Sequence, residues 1–146
     1  GSSSYGILLE GGKNFVSYTE LNFGSMGRSN IYVSDGSFLD ARNAIYTVSG
    51  SVANGWHLEV ADQGNAIIVA VTLTFSGTIT FTSGGFARVY RQGYARIYSD
   101  TFVNSASVVG QKFYCDTGGG IFVNGAGISY LPGNTTGTTV APGWYT

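Results

Sequence analysis

The feature that most limits the fold of this chain is its punctuation. Gly11-Gly12, Asp35-Gly36, Ser49-Gly50, Asn54-Gly55, Gly64-Asn65, Gly84-Gly85, Gly118-Gly119-Gly120 and Pro132-Gly133 interrupt it throughout, and 23 of its 146 residues are glycine. Long helices do not survive such breaks, whereas short strands fit between them. The intervening runs carry strand chemistry. Residues 66–75 are β-branched, and Val69, Val71, Leu73 and Phe75 alternate with Ala70, Thr72 and Thr74, as in a core strand whose second face grows wetter along its length. Residues 15–21 alternate as well, with Val16, Tyr18 and Glu20 opposed to Phe15, Ser17 and Leu21.

Three turn pairs predict hairpins. Ser76-Gly77 separates two alternating runs, Gln92-Gly93 lies between residues 86–91 and 94–99, and Asn124-Gly125 lies between residues 121–123 and 128–130. One short helix competes for residues 37–45, where Ser37 and Asp40 have capping spacing and Phe38, Ala41 and Ile45 share a face. The expected fold is all-β: an antiparallel sandwich or jelly roll with at most that one helix. No internal repeat or linker is visible. Residues 1–4 (Gly-Ser-Ser-Ser) read as a cloning scar ahead of one domain, 5–146, excised from a longer chain.

Composition narrows the class. Charged residues make up 10% of the chain, against about 25% in an average soluble protein. Seven basic and eight acidic residues give a net charge of −1, which offers no field for a phosphate backbone. Nucleic acid is therefore not an expected partner. No apolar run reaches the length of a membrane-spanning helix. Combined with 14% aromatic residues, the low charge suits a domain that buries its flanks against identical copies.

Catalytic patterns are missing from the sequence. One histidine, His57, and one cysteine, Cys115, cannot build a His/Cys zinc site. His57 reads as an ordinary strand residue beside Trp56, and Cys115 as a small core residue with no adjacent cation. Neither a nucleophile elbow nor a phosphate loop is present. Asn134-Thr135-Thr136 has the form of a glycosylation sequon within a Thr-rich tail. No enzymatic role, metal or cofactor is expected.

One constellation stands out. Residues 88–98 hold Arg88, Tyr90, Arg91, Tyr94, Arg96 and Tyr98, three of the seven basic residues and three of the ten tyrosines. Arginine and tyrosine are enriched at binding hot spots, where they pair with carboxylates and stack on rings. They serve equally in a subunit interface or along a solvated edge strand. The polar tail ends in Trp144 and Tyr145, two aromatics expected to dock on the body or on a neighbouring subunit.

The stretch from Gly120 to Thr138, with Phe122-Val123-Asn124-Gly125-Ala126-Gly127 followed by Tyr130-Leu131-Pro132-Gly133-Asn134, resembles the ends of tailed-bacteriophage adhesion proteins. The match covers about the last thirty residues. The resemblance implies a knob or head domain at the distal tip of a virion tail fibre, spike or needle, built as a homotrimer of β-rich protomers. It implies contact with a host surface polysaccharide or outer-membrane protein, and carries no catalytic residue with it. A small anion or carboxylate between subunits near the arginines is a further expectation. Two rivals are a monomeric carbohydrate-binding module of a secreted enzyme and a trimeric virion plug with a purely structural role.

Overall fold

The computed structural model describes residues 4–16 and 20–146. Ser17, Tyr18 and Thr19 of the first predicted strand, and the first three residues of the expected cloning scar, lie outside them. The chain winds as a ribbon of short strands that returns to the same three faces. The first rung contains β1 (Tyr5–Leu9), β2 (Asn14–Val16) and β3 (Glu20–Phe23); the second β4 (Ser29–Val33), β5 (Phe38–Asp40) and β6 (Ile45–Val48). The third contains β7 (Leu58–Val60), β8 (Asn65–Val69) and β9 (Thr72–Phe75); the fourth β10 (Ile79–Val89), β11 (Tyr94–Tyr98) and β12 (Thr101–Val103). After one 3₁₀ turn, Ser105–Ser107, the fifth holds β13 (Val108–Cys115) and β14 (Gly120–Phe122), and β15 (Thr138–Thr139) and β16 (Trp144–Tyr145) close the chain.

Each strand pairs in parallel with its counterpart in the next rung, which gives three sheets: A (β1-β4-β7-β10-β13-β15), B (β2-β5-β8-β11-β14-β16) and C (β3-β6-β9-β12). This is a parallel β-solenoid of about five turns, and it overturns the antiparallel jelly roll. The reason lies in the turns. Arg91 and Gln92 both have positive φ (49° and 63°), and Gly93 N donates to Tyr90 O at 3.0 Å. A two-residue turn of this hand suits a hairpin, but here it bends the chain from one sheet to the next.

The same corner recurs along the axis. Asp35-Gly36, Asp62-Gln63 and Thr117-Gly118 repeat the paired positive φ, and Ser37, Gly64 and Gly119 repeat the closing hydrogen bond. In every rung seven residues separate a sheet A position from a sheet B position: Leu8 and Phe15, Tyr32 and Leu39, Glu59 and Ala66, Arg88 and Ala95, Tyr114 and Ile121, Thr138 and Tyr145. An internal repeat thus exists where none was visible. Gly64 and Gly93 follow the turn because an added Cβ would lie 2.5 Å and 2.6 Å from the carbonyl oxygens of Val33 and Val60 one rung earlier.

The other local expectations change for related reasons. Residues 37–45 form β5 and the start of β6, not a helix, and Ser37 Oγ accepts from Lys13 N at 3.1 Å, across rungs. Positive φ at Ala70 (57°) divides residues 66–75 into β8 and β9 and turns the chain from sheet B to sheet C; Asn43 and Ser99 do the same one rung before and after. Ser76-Gly77 joins strands of different sheets, so no hairpin forms there. Asn124-Gly125 makes its turn, with Ala126 N bonded to Val123 O at 3.1 Å, but residues 128–130 do not return as a strand.

Alternation within each strand sends one set of side chains inward. Ile31, Leu58 and Phe113 stack with Ala87 beneath sheet A; Leu39, Ala66, Ala95 and Ile121 do so beneath sheet B, and Tyr46, Leu73 and Phe75 beneath sheet C, all within 3% of full burial. Fully burying each large apolar side chain contributes about 1.5–3 kcal/mol. Cys115 belongs to this core, and burial pushes its thiol up to about 12. His57 is inside as well, between the Phe23 and Phe86 rings, with Nδ1 3.0 Å from Asn30 Oδ1. In the fifth rung residues 123–137 leave the three-sheet pattern and fold over the end of sheet C. There Tyr130 packs against Phe102, Leu131 is buried, and Lys112 Nζ donates to the carbonyls of Leu131 and Gly133.

Candidate functional site

The 88–98 segment is not a hairpin, so its six side chains do not share one face. It straddles the corner between sheets A and B. Arg88 points out from sheet A, and Tyr94, Arg96 and Tyr98 alternate along the outside of β11 in sheet B; Arg91 occupies the turn between them.

At the corner, backbone hydrogen bonds run from rung to rung: Gly36 N to Asp62 O, Gln63 N to Arg91 O and Gln92 N to Thr117 O, at 3.1–3.2 Å. With the backbone satisfied along the axis, the turn side chains are left to radiate outward. Asp35, Asp62, Gln63, Arg91, Gln92 and Thr117 line an open groove of about 580 Å³. Arg91 lies 3.5 Å from Asp62, and Gln63 Nε2 donates to Gln92 Oε1 at 3.4 Å. The groove presents carboxylate, amide, hydroxyl and guanidinium groups in one line along the solenoid.

Sheet A forms one shoulder. Its outer column brings Tyr32, Glu59, Arg88 and Tyr114 into register on successive rungs. Glu59 is only 2% exposed. Ser29 Oγ donates to its carboxylate, and Arg28 and Arg88 lie 3.8 Å and 3.9 Å away. Arg88 also reaches Asp116 at 3.8 Å. The guanidinium of Arg28 lies over the rings of Tyr5 and Tyr32, and that of Arg88 over Tyr90 at 4.3 Å and Tyr114 at 5.7 Å. Burial and then a hydrogen bond with Tyr32 raise the Tyr90 phenol well above its ordinary value. Charges here are matched inside the cluster.

Sheet B forms the other shoulder. Arg96 Nε donates to Tyr94 OH at 3.3 Å. Tyr94 lies 5.7 Å from Trp144, two rungs on, and Tyr98 meets Phe122 edge-on at 5.7 Å. Trp144 can cross the intervening rung because Gly120 stands there; any Cβ at that position would enter the indole. Tyr145 points the other way and stacks on Phe113, ring centroids 3.8 Å apart at 10°. The tail therefore carries one outward aromatic and one that packs against the core.

The structure keeps the six arginines and tyrosines near one corner but distributes them over two shoulders and the turn between, and it buries Tyr90. Sequence reasoning missed Glu59, Tyr32, Tyr114 and Arg28 on sheet A, Phe122 on sheet B, and Asp62, Gln63 and Thr117 in the groove. No local signal places them, because they come from other rungs and the number of residues between register partners varies from rung to rung. Among the described residues no group of three or more His, Cys, Asp or Glu could hold a metal ion, and no helix is long and apolar enough to cross a membrane. No family model, curated protein or solved structure matches the chain.

Proposed function

We propose that this chain is a host-contacting segment of a bacteriophage tail appendage, which adheres to the bacterial surface through the corner at Arg91 and does not turn its ligand over. The observation that supports this reading is the juxtaposition at that corner. A polar groove of about 580 Å³ runs along the axis between shoulders that expose arginine and tyrosine. Planar polar groups and aromatic faces are what a surface polysaccharide requires for recognition, and the same groups suit a loop of an outer-membrane protein. The likeness of residues 120–138 to phage adhesion proteins supports the tail assignment. A homotrimer belongs to the same proposal: Ile45 and Val103 on sheet C leave 52% and 38% of their surface exposed, which association of copies would cover.

Binding of the labelled chain to a panel of bacterial strains, and to their purified surface polysaccharides, tests the reading. The double variant Arg91→Ala, Tyr94→Ala is expected to lose at least about tenfold in binding with an unchanged circular dichroism spectrum, in line with the loss of one or two hot-spot side chains. Full binding by that variant removes the corner from the site, and a chain that binds no strain removes the adhesive reading. Sedimentation at about three times the 15.3 kDa chain mass supports the trimer; a single chain mass removes it.

A further inference from the structure

The five arginines of the chain are not equivalent. Arg28, Arg42, Arg88 and Arg91 each have a carboxylate within 4 Å: Glu59, Asp40, Glu59 with Asp116, and Asp62. Arg96 has none among the described residues; its hydrogen bond goes to the Tyr94 hydroxyl. The topology explains this. Its column on sheet B reads Val16, Asp40, Ile67, Arg96 and Phe122, so the only acid lies two strands away, about 10 Å at ordinary strand spacing, and is bonded to Arg42.

The surroundings of Arg96 are organised. Tyr94 and Tyr98 flank it on the same strand, and Phe122 is its register partner in the next rung. The Tyr94 hydroxyl takes only Nε, and the guanidinium stands 5.5 Å over that ring; among the described residues no hydrogen bond takes the two terminal nitrogens, which form a fork. That fork matches the two oxygens of a carboxylate. Around it, Tyr94 with Trp144 and Tyr98 with Phe122 offer partly exposed rings on which the apolar C–H face of a sugar can lie.

We propose that the outer face of sheet B binds an acidic sugar unit, a uronate, with its carboxylate on the Arg96 guanidinium and its ring against the Tyr98–Phe122 and Tyr94–Trp144 pairs. This rests on the adhesive reading above and gives it a substrate class: anionic surface polysaccharide in preference to neutral. Arg96 sets the preference through its unmatched charge, and the rings supply contact area to neutral and acidic sugars alike. The arginines of sheet A suit this part less well, because Glu59 and Asp116 lie within 4 Å and offset their charge.

The test titrates the full chain with a polyuronate oligosaccharide and with a neutral glucan oligosaccharide of equal length, for wild type, Arg96→Gln, Arg96→Lys and Phe122→Ala. Wild type is expected to favour the uronate by about tenfold or more at low salt, with the preference shrinking as ionic strength rises. Arg96→Gln is expected to abolish the preference, Arg96→Lys to keep part of it, and Phe122→Ala to weaken both ligands together. Equal affinities of wild type and Arg96→Gln for the uronate overturn the proposal, as does wild type that binds neither oligosaccharide; if that wild type still binds cells, the adhesive reading stands without it. A phosphate-substituted glycan that competes while the uronate does not overturns the carboxylate assignment. Dissociation of an oligomer by Arg96→Gln makes the face an interface between copies, and also overturns it.

Discussion

Sheets A and B are built by the same turn, seven residues apart in every rung, yet in the fourth rung their outer faces use charge differently. On sheet A, Glu59 is buried beneath Arg28 and Arg88, and the guanidinium groups are further covered by tyrosine rings. On sheet B, Arg96 is held only by a phenol. A repeat dictates where side chains stand but not how they are paired. The difference separates a face that stabilises the solenoid from one that is free to meet a ligand.

The corner common to both faces carries the largest expected effect. Gly93 leaves no room for a Cβ, with the carbonyl oxygen and carbon of Val60 2.6 Å and 2.8 Å from where it would stand. Because those atoms are backbone of the preceding rung, they cannot rotate aside. Gly93→Val is expected to cost more than about 3 kcal/mol, read as a fall in the urea midpoint, and to weaken both faces together. A variant of unchanged midpoint would mean that the rungs are not stacked as tightly as described.

The contrast continues in two titratable groups at the ends of these sheets' strands. His57, just before β7 of sheet A, is a buried base, and burial lowers its pKa to about 3. Asp100, just after β11 of sheet B, is a largely buried acid, raised to about 7 by burial although Val71 N and Tyr130 OH bond its carboxylate. An unfolded chain protonates the histidine below about 6.5 and ionises the aspartate above about 3.9. His57 therefore loses stability for the fold as pH falls from 6.5 toward 3. Asp100 loses it as pH rises from about 4 to 7. Each slope has an upper bound of about 1.4 kcal/mol per pH unit, and over pH 4.5–6.5 they oppose one another.

Wild-type stability is accordingly expected to be nearly flat in that window. Asp100→Asn, which keeps the acceptor for Val71 N, is expected to become more stable as pH rises, and His57→Gln less stable. Urea midpoints at pH 4.5, 5.5 and 6.5 measure all three. Parallel pH profiles for the two variants would remove the opposed pair.

A smaller effect separates the outer faces directly. Glu59→Gln leaves Arg28 and Arg88 without their shared carboxylate, but both side chains retain water contact, at 43% and 34% exposure. The expected loss is about 1–3 kcal/mol, below the range for fully buried pairs. Arg96→Gln, at an exposed guanidinium, is expected to leave the urea midpoint unchanged. Equal losses in the two variants would show that the faces do not differ in the way their charges are used.

The strand content was legible because alternation and β-branching at positions such as Val69, Val71, Leu73 and Phe75 report a half-buried strand of either direction. The turns were legible too, at Asp35-Gly36 and Asn124-Gly125. Direction was not. Paired positive φ reverses a hairpin or bends a solenoid, and the outcome depends on what the next strand meets. The repeat was hidden because Leu8, Tyr32, Glu59, Arg88, Tyr114 and Thr138 share a place but, apart from the two tyrosines, no chemistry. The return from sheet C to sheet A also varies in length, from Leu21 to Ile31 in one rung and from Leu73 to Ala87 in another. Of the candidate site, the 88–98 segment revealed what the fourth rung contributes. Glu59, Phe122 and Trp144 belong to other rungs, and no local pattern links them to it.

The two tryptophans allow the smallest effect to be read one face at a time. Trp56 packs near Tyr114 beside sheet A and is 7% exposed; Trp144 lies on sheet B and is 38% exposed. Gly120→Ala places a methyl group where the Trp144 indole now lies, and the ring, bounded by solvent on one side, can swing away from Tyr94. The expected stability loss is about 1 kcal/mol, the worth of an aromatic pair. The clearer readout is fluorescence. Emission is expected to shift to the red and iodide quenching to rise, and both changes should vanish in a Trp144→Phe background, where only Trp56 reports. Persistence of the changes in that background would mean that the methyl group disturbed sheet A as well, and the two faces would then be coupled through the corner they share.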